Sequence, residues 1–441
     1  MEREASEERG QNRRAIIFLA VAIALGLALR WWRLSVVDTQ PVTDFSWYFA
    51  RAKELAAGQG YVEHGKPTAY WPVGWPGFLG LLFKVFGASV WVGKIANTLL
   101  SLAAIPLTFA LGHRLFHSRT TGLIGAFFMA VNPAFVAYSG ILASEPLFTT
   151  LTLAGMLLLI KGEDKAGGWF WGGALFGLAV LVRPQAAVLP ALILVAHWLW
   201  DSRWKREFPF WRAIWTSHAA MICVLLPWLI RCYIVFGSLV FVSTNGGDNL
   251  LIGAHPSANG RYANPWTQCG LTRAPNTPEL QWEKKARGTA IFWIKQNPGR
   301  WLALAPAKLN EAFIGGTDIA YWSFQKEFDR LRAPGTGDDK PLYKQFQLIG
   351  NQYKLLLLAL FGVGLAATLM ARFSKRERPA LPISPLFVIA ASALVVVVFF
   401  GNSRFVMPIA PLMGLYAAHG FVSLKLMLQG MVAPAKGELT A

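Results

Sequence analysis

The sequence predicts an all-α polytopic membrane protein that crosses a lipid bilayer about ten times. Of its 441 residues, 54% are hydrophobic and only 15% are charged, which is too apolar for an ordinary soluble domain. The apolar residues are gathered into runs of about 20 residues, the length that a helix needs to cross ~30 Å of hydrocarbon. Tryptophans near the ends of these runs, such as Trp31, Trp91 and Trp198, are typical of membrane interfaces.

The predicted spans follow these apolar runs along the chain. They cover residues 15-34, 91-112, 120-137, 143-161, 168-183, 185-200, 213-235, 353-371, 383-400 and 404-424. Pro184 separates the fifth span from the sixth, because proline removes a helix hydrogen bond and clashes with the preceding turn. The first run lacks a small-residue cleavage site, so we interpret it as a retained helix and not as a signal peptide.

Clusters of Lys and Arg between the apolar runs predict the orientation of the chain. By the positive-inside rule these clusters face the cytoplasm. They are Arg3, Arg9, Arg13 and Arg14; Arg114 and Arg119; Lys161 and Lys165; Arg203, Lys205, Arg206 and Arg212; and Arg372, Lys375, Arg376 and Arg378. The net charge is +18, but these basic residues come in short clusters between apolar runs and form no extended basic stripe, so no nucleic-acid partner is expected.

Alternation of the spans then defines the predicted domains. Residues 1-14 form a cytoplasmic tail, 15-34 the first span, and 35-90 a first extracytoplasmic loop with an amphipathic helix at the membrane surface. Spans two to seven occupy 91-235, and a large extracytoplasmic loop region covers 236-352. Spans eight to ten occupy 353-424, and 425-441 form a second cytoplasmic tail.

A few ionisable residues are predicted at the extracytoplasmic ends of the spans. Glu145, Arg183 and Arg404 lie at the tips of three helical hairpins, and Arg231 lies at the end of the seventh span. A charge at membrane depth is costly unless it is paired or hydrated, so these residues are expected to line one polar cavity. The alternative is that the arginines only extend their charged ends from helix termini into water.

The two loop regions add further candidates. Asp44 opens the amphipathic segment TDFSWYFARAKEL, where it is compatible with a chemical role or with a helix N-cap. Lys66, Tyr70 and Trp71 lie in HGKPTAYWPVGWP, whose aromatic faces suit a sugar or the lipid headgroups. Asn245 and Asn249 open the second region and are candidates for contacts to a sugar or acceptor, with a simple turn as the alternative.

Together these residues indicate group transfer from a phosphate-linked donor. Arginine binds phosphate through two parallel hydrogen bonds, and an ionised carboxylate can accept a proton from an attacking hydroxyl or amine. The sequence contains no P-loop and no glycine-rich dinucleotide motif, so the donor is expected to be a lipid-linked phosphosugar and not a nucleotide. His113 and His117 have the spacing of a metal pair but lack a third ligand nearby, so no metal site is predicted.

At these residues the chain resembles the polyprenyl-phosphate-sugar-dependent glycosyltransferases of the GT-C fold, the superfamily of the lipid A aminoarabinose transferase and the protein O-mannosyltransferases. The resemblance implies that Asp44 is the essential carboxylate, that Lys66 and Arg404 contact the donor phosphate, and that Glu145 belongs to the acidic motif of the second loop. It is carried, in this order, by TDFSWYFARAKELAAGQGY, KPTAYWPVGWPGF, ASEPLF, PWLIRCYIVFG and NSRFVMPIAP.

The resemblance also implies an inverting transfer at the outer face of a bacterial inner membrane. Asp44 would act as general base, and Arg231, Arg404 and Lys66 would stabilise the charge of the leaving phosphate. Arg183 is a further candidate for the phosphate because it is predicted at the same membrane face. The donor would be a polyprenyl-phosphate sugar and the acceptor a glycan, a lipid or a protein. Members of the superfamily differ in their use of a divalent cation, so a metal requirement stays open, as does the oligomeric state.

Two other functions fit the same residues. A transporter or flippase for an anionic lipid or a lipid-linked sugar would also need cations and aromatic residues at this face. Such transporters commonly contain inverted repeats, and none is visible in this sequence. A glycan polymerase or ligase that uses a diphosphate-linked donor would share the predicted side of the membrane and much of the chemistry.

Overall fold

The computed structural model describes residues 2–161, 166–200, 209–274, 277–315, 318–324, 341–373 and 383–432. Part of the predicted basic clusters and the end of the second tail lie outside these residues. The positions concerned are Lys165, Arg203, Lys205, Arg206, Lys375, Arg376, Arg378 and residues 433–441.

The first half of the described chain is built from helices and one small hairpin. The helices are α1 (Glu2–Val36), α2 (Thr43–Ala56), α3 (Gly74–Phe86), α4 (Val90–Phe116), α5 (Arg119–Ala130), α6 (Pro133–Tyr138), α7 (Glu145–Lys161), α8 (Ala166–Val182), α9 (Leu189–Trp200) and α10 (Phe210–Phe236). A 3₁₀ turn, Pro184–Val188, precedes α9. Strands β1 (Val62–Glu63) and β2 (Lys66–Pro67) pair antiparallel, with Val62 opposite Pro67 and Glu63 opposite Lys66.

The second half continues with helices of very different lengths. They are α11 (Gly246–Gly253), α12 (Glu279–Gln296), α13 (Pro298–Ala303), α14 (Ala305–Asn310), α15 (Asp318–Ser323), α16 (Pro341–Phe373), α17 (Ser384–Val398), α18 (Ser403–Val406) and α19 (Ala410–Val432). A π-helical turn, Glu311–Gly315, follows α14, and a 3₁₀ turn, Met407–Ile409, joins α18 to α19.

The predicted all-α membrane architecture is confirmed. Five helices in the described part of the chain are long and apolar enough to cross a membrane: Arg9–Val36, Val90–Phe116, Phe210–Phe236, Leu342–Met370 and Ser403–Gln429. The helices at the other predicted spans are shorter, at 12 to 17 residues for α5, α7, α8, α9 and α17. The count of ten crossings therefore stays a prediction.

The predicted continuous span at 120-137 is wrong. Helix α5 ends at Ala130, and Asn132 begins a separate short helix by accepting a hydrogen bond from the backbone N–H of Ala134 at 3.0 Å. Pro133 occupies the first turn of α6, where its missing N–H costs nothing. An N-cap followed by proline therefore divides a stretch that hydrophobicity alone predicts as one helix.

Close helix packing depends on glycines at two crossings. A Cβ on Gly173 of α8 would collide with the carbonyl of Ser217 on α10, and one on Gly364 of α16 would collide with the carbonyl of Tyr416 on α19. The sequence places Gly168, Gly172, Gly173 and Gly177 at the spacing that lets helices approach closely.

Helix α2 connects the first loop region to the bundle. Its buried residues Phe45, Tyr48 and Ala52 recur at helical spacing, as its sequence predicts. Phe49 contacts Phe83 of α3 with ring centroids 5.3 Å apart. Helix α2 thereby packs against α3.

Lys308 on α14 joins the second loop region to α17 and gives a testable pH dependence of stability. Its buried ammonium group donates to the carbonyl of Val397 at 2.9 Å, and burial lowers its pKa from 10.5 to about 8. Below pH 8 the lysine is charged in both the folded and the unfolded chain, so the folded protein bears the full cost of burying the charged ammonium group. Between about pH 8 and 10.5 the folded protein loses the proton first, so stability is expected to rise with pH.

Thermal unfolding of the detergent-solubilised Lys308→Met variant tests this effect. We expect the unfolding temperature of the variant to exceed that of wild type most at pH 7, and this difference to shrink as the pH rises to about 10. Lys285→Met is the matched control, because Lys285 is exposed. An identical pH profile for wild type and both variants would contradict the assignment.

Candidate active site

Arg404 joins the two predicted carboxylates. Its Nη1 lies 3.0 Å from Oδ2 of Asp44, and its Nε lies 2.7 Å from Oε1 of Glu145. The Arg404 guanidinium also lies over the ring of Phe45, 5.2 Å from its centroid. One planar cation thus bridges residues that are about 100 positions apart in the sequence.

Glu145 is the buried centre of this group. Its side chain is fully buried, and Oε1 is also 2.7 Å from Nη2 of Arg183. Its second oxygen, Oε2, has no hydrogen-bond partner among the described residues. Two carboxylates and two guanidinium groups balance each other, which makes their burial tolerable. We call Asp44, Glu145, Arg183 and Arg404 the charged network.

Each member of the network lies at the end of a helix. Asp44 lies in the first turn of α2, Glu145 is the first residue of α7, and Arg183 follows α8. Arg404 lies in the first turn of α18, where Oδ1 of Asn402 accepts a hydrogen bond from its backbone N–H at 2.8 Å. Of the four residues that the sequence places at one cavity, Glu145, Arg183 and Arg404 meet here, together with Asp44. The fourth, Arg231, contacts the backbone of the first loop region instead.

Two alternatives for these residues are wrong. Val42, not Asp44, occupies the N-cap of α2, and no side chain caps that helix. The side chains of Arg183 and Arg404 are only 12% and 14% exposed and face carboxylates, so they do not extend into water. Thr43, directly before Asp44, has φ of 46°, a left-handed conformation that is strained for a β-branched residue.

Asp44 is the accessible carboxylate of the network. Its side chain is 28% exposed, whereas that of Glu145 is fully buried. Burial raises the pKa of the Tyr48 hydroxyl, and the negative charge of Asp44 raises it further. Burial and Asp248 raise the pKa of Tyr70, to which Asp44 also contributes. Asp44 therefore lies among aromatic side chains, where an arriving substrate can reach it.

Arg231 and Lys66 lie apart from the network contacts. Arg231 donates to the carbonyls of Thr68 at 2.7 Å and Tyr61 at 2.8 Å, and its guanidinium lies over Trp228, 4.9 Å from the ring centroid. Lys66 is exposed on β2. Arg231 thus supports the first loop region through backbone contacts, a role that its sequence context does not indicate.

The predicted sugar- and acceptor-binding residues occupy two neighbouring places. The ring of Trp71 lies 5.9 Å from that of Tyr48, and the Tyr70 hydroxyl donates to Asp248 at 2.8 Å. Asn245 is buried at the start of α11, where its Oδ1 accepts a hydrogen bond from Ser243 at 3.0 Å. Asn249 lies in the same helix and is half-buried.

Sequence reasoning missed three residues near this site. Asp248 and Glu279 are carboxylates of the second loop region that bind residues of the first. Tyr262 is 59% exposed, and its pKa is raised by burial and then by the charge of Asp44. The signals were weak: Asp248 follows two glycines, and Glu279 stands in an acidic first helical turn that ordinarily stabilises the helix.

An apolar pocket is lined by Ser403, the residue before Arg404. It lies between α6, α16, α19 and the π-helical turn and is partly open, and its empty space, open solvent included, is about 800 Å³. One wall runs from Ser403 to Met413, a distance of about 15 Å at ~1.5 Å per residue. Pro133, Phe346, Gly350 and Leu357 line the opposite side. The pocket is therefore mostly apolar and adjoins, through Ser403, the short helix that carries Arg404.

The network itself is poorly suited to a metal ion. Among the described residues, no group of three or more His, Cys, Asp or Glu is close enough to hold one. The guanidinium of Arg404 already occupies the space between Asp44 and Glu145 and neutralises both.

Comparisons with known proteins identify the fold. Residues 71–230 match the family model described as dolichyl-phosphate-mannose-protein mannosyltransferase. The undecaprenyl phosphate-alpha-4-amino-4-deoxy-L-arabinose arabinosyl transferase of Pseudomonas aeruginosa strain UCBPP-PA14 is 27% identical over 176 residues. That match covers 38% of this chain and 30% of the relative.

Two solved structures resemble nearly the whole chain. The apo oligosaccharyltransferase of Archaeoglobus fulgidus has a TM-score of 0.56 at 14% identity and covers 97% of this chain. Its complex with an inhibitory peptide and a dolichol-phosphate has a TM-score of 0.54 at 12% identity and covers 98%. This chain spans 53% of either solved chain. The predicted GT-C fold and the resemblance to its glycosyltransferases are confirmed.

The pairing inside the network can be measured by a double-mutant cycle. Glu145→Gln leaves the buried Arg183 guanidinium without its counter-charge and Arg404 with Asp44 alone, which is expected to lower the free energy of unfolding by about 3–5 kcal/mol. Adding Arg183→Gln should recover part of this loss, because the uncompensated charge is removed. Unfolding of the purified single and double variants in detergent gives the coupling, and strictly additive effects would contradict the pairing.

Proposed function

We propose that the protein is an integral membrane glycosyltransferase that moves a sugar from a polyprenyl-phosphate donor to an acceptor, with Asp44 as general base. The observation that carries this proposal is the position of Arg404. It touches both carboxylates, and the residue before it opens an apolar pocket. A donor with a charged phosphate and a long apolar chain matches both features.

The relatives support the class of donor. The matched arabinosyl transferase is named for an undecaprenyl-phosphate-linked sugar, and the similar oligosaccharyltransferase is known in complex with a dolichol-phosphate. A multi-pass membrane protein with an apolar pocket fits a donor that resides in lipid. The acceptor stays open between a glycan, a lipid and a protein.

In the proposed reaction, the donor phosphate first engages Arg404 and Arg183. A phosphate binds a guanidinium through two parallel hydrogen bonds and competes with Asp44 for the face of Arg404. Loss of this ion pair leaves Asp44 free to accept a proton. Glu145 keeps both arginines in place, because its buried carboxylate contacts each of them at 2.7 Å.

The transfer then takes place on the anomeric carbon of the donor. The acceptor oxygen or nitrogen forms a bond to this carbon while the bond to the phosphate oxygen breaks, which inverts the configuration. The acceptor proton passes to Asp44, and polyprenyl phosphate leaves with its charge stabilised by the arginines. Lys66, on its exposed hairpin, is proposed as a further contact for this phosphate.

The side of the membrane follows from the basic clusters. With these clusters in the cytoplasm of a bacterial cell, both chain ends lie there, and Asp44, Tyr70, Trp71, Asn245 and Asn249 face the opposite compartment. Residues 35-90 and 236-352 then form the extracytoplasmic part of the enzyme. Nucleotide-linked sugars are not expected in that compartment, which again favours a lipid-linked donor.

Asp44→Asn tests the general base. The amide cannot accept the proton, so we expect transfer to fall by about 100- to 10,000-fold. Purified protein is incubated with undecaprenyl-phosphate sugars and a membrane extract, and labelled product is counted. Asp38→Asn is the control, because Asp38 lies in the same loop region and its carboxylate pairs with Lys94 at 3.3 Å. Equal transfer by wild type and Asp44→Asn would contradict the mechanism.

Gly350→Phe tests the apolar pocket. Gly350 lines the pocket, and an added Cβ would only touch Pro133 at 3.9 Å, so the helix is expected to tolerate the substitution while the ring fills the cavity. We expect a higher KM for a donor with a full undecaprenyl chain and a smaller change for a short-chain analogue. Gly362→Phe on the same helix has open space around it and serves as control. An equal effect of both variants would contradict the assignment of the pocket.

A further inference from the structure

The short segment Thr68–Tyr70 is held by partners from outside its own loop. The Thr68 hydroxyl donates to Glu279 at 2.6 Å, and the backbone N–H of Ala69 donates to the other oxygen of the same carboxylate at 2.9 Å. The carbonyl of Ala69 accepts from the N–H of Thr244 at 2.9 Å. Together with the bond from Arg231 to the Thr68 carbonyl, these contacts fix the backbone of a buried turn.

Asp248 holds the next side chain in the same segment. It is 4% exposed and accepts three hydrogen bonds, from the Tyr70 hydroxyl at 2.8 Å, Trp282 at 2.8 Å and Trp266 at 3.2 Å. Bonds from neutral donors to a buried carboxylate are strong, and losing one leaves a charged oxygen without compensation. Tyr70 is therefore held at both its backbone and its hydroxyl.

The fixed segment is connected to the charged network through Trp71 and Tyr48. Trp71 follows it in sequence, and its ring lies 5.9 Å from that of Tyr48 and 5.6 Å from that of Tyr70. Tyr48 in turn lies one helical turn after Asp44 on α2. Tyr70 and Trp71 are both half-buried, so part of each ring is open to a ligand.

We propose that Glu279 and Asp248 are positioning residues that hold Tyr70 and Trp71 as a rigid aromatic wall for the donor sugar beside Asp44. The proposal rests on the function proposed above and goes beyond it by placing the sugar subsite at this wall. Aromatic faces bind the apolar side of a sugar ring. A wall that is fixed before binding loses little conformational entropy when the sugar arrives.

The proposal gives the two loop regions separate tasks. The first loop region supplies the contacting rings, and Glu279 and Asp248 in the second set where those rings stand. A displacement of about 1 Å near the reacting atoms can cost ~100-fold in rate. Substitutions in the second loop region are thus expected to alter recognition of the sugar, although the substituted residues do not contact it.

The test separates the sugar from its lipid carrier. Glu279→Gln, Asp248→Asn and Tyr70→Phe are prepared in the full chain, and kcat and KM are measured with undecaprenyl-phosphate 4-amino-4-deoxy-arabinose and with undecaprenyl-phosphate mannose. Binding of sugar-free undecaprenyl phosphate is measured in parallel. Glu283→Gln is the matched control, since Glu283 is a buried carboxylate on the same helix that pairs with Arg287.

For the better donor, we expect Glu279→Gln and Asp248→Asn to raise KM by about tenfold or more while binding of undecaprenyl phosphate stays unchanged. Tyr70→Phe retains the ring and loses only its bond to Asp248, so a smaller rise in KM is expected in a protein that still folds. The control should match wild type.

Two results would overturn the proposal. One is an unchanged KM in all three variants, and the other is an equal loss of affinity for the sugar donor and for sugar-free undecaprenyl phosphate. If wild type transfers neither sugar although it binds undecaprenyl phosphate, the proposed function fails for these donors. If wild type transfers a sugar and the KM of the three variants equals that of wild type, only the positioning role is rejected.

Discussion

The site depends on a requirement that buried charges be balanced. Glu145 is fully buried at the end of a helix in a largely apolar protein, and it is tolerated there because Arg183 and Arg404 both contact it. Arg404 contacts Glu145 through Nε, and its Nη1 pairs with Asp44. The helix ends that carry these residues must meet for the charges to be neutralised, so the electrostatic requirement and the architecture support each other.

The pairing also gives the site a resting state. Arg404 holds Asp44 in an ion pair until another anion replaces that contact, so in the proposed reaction the donor phosphate itself releases the base. The apolar pocket beside Ser403 adds the second half of the recognition. A soluble phosphate would satisfy the arginine alone, whereas a polyprenyl phosphate satisfies the arginine and the pocket.

Much of this arrangement could be predicted from the sequence, because it follows from rules that act over one helix. Apolar runs and basic clusters indicate the spans, and rare charges at their ends indicate Glu145, Arg183, Arg231 and Arg404 as a group. Asp44 is indicated by its place in the amphipathic segment of the first loop region. What could not be predicted depends on contacts between distant segments. The backbone contacts of Arg231 and the roles of Asp248 and Glu279 arise only when the loop regions pack together. The break at Asn132 is instead local, an N-cap followed by proline that hydrophobicity alone does not indicate.

The most direct test of the account is a structure of the purified protein bound to undecaprenyl phosphate, determined by cryo-electron microscopy. The account predicts that the phosphate lies within hydrogen-bond distance of Arg404, that Asp44 no longer contacts this arginine, and that the prenyl chain enters the pocket between Ser403 and Gly350. A phosphate bound away from Arg404, or a prenyl chain outside this pocket with the Asp44–Arg404 pair intact, would contradict it.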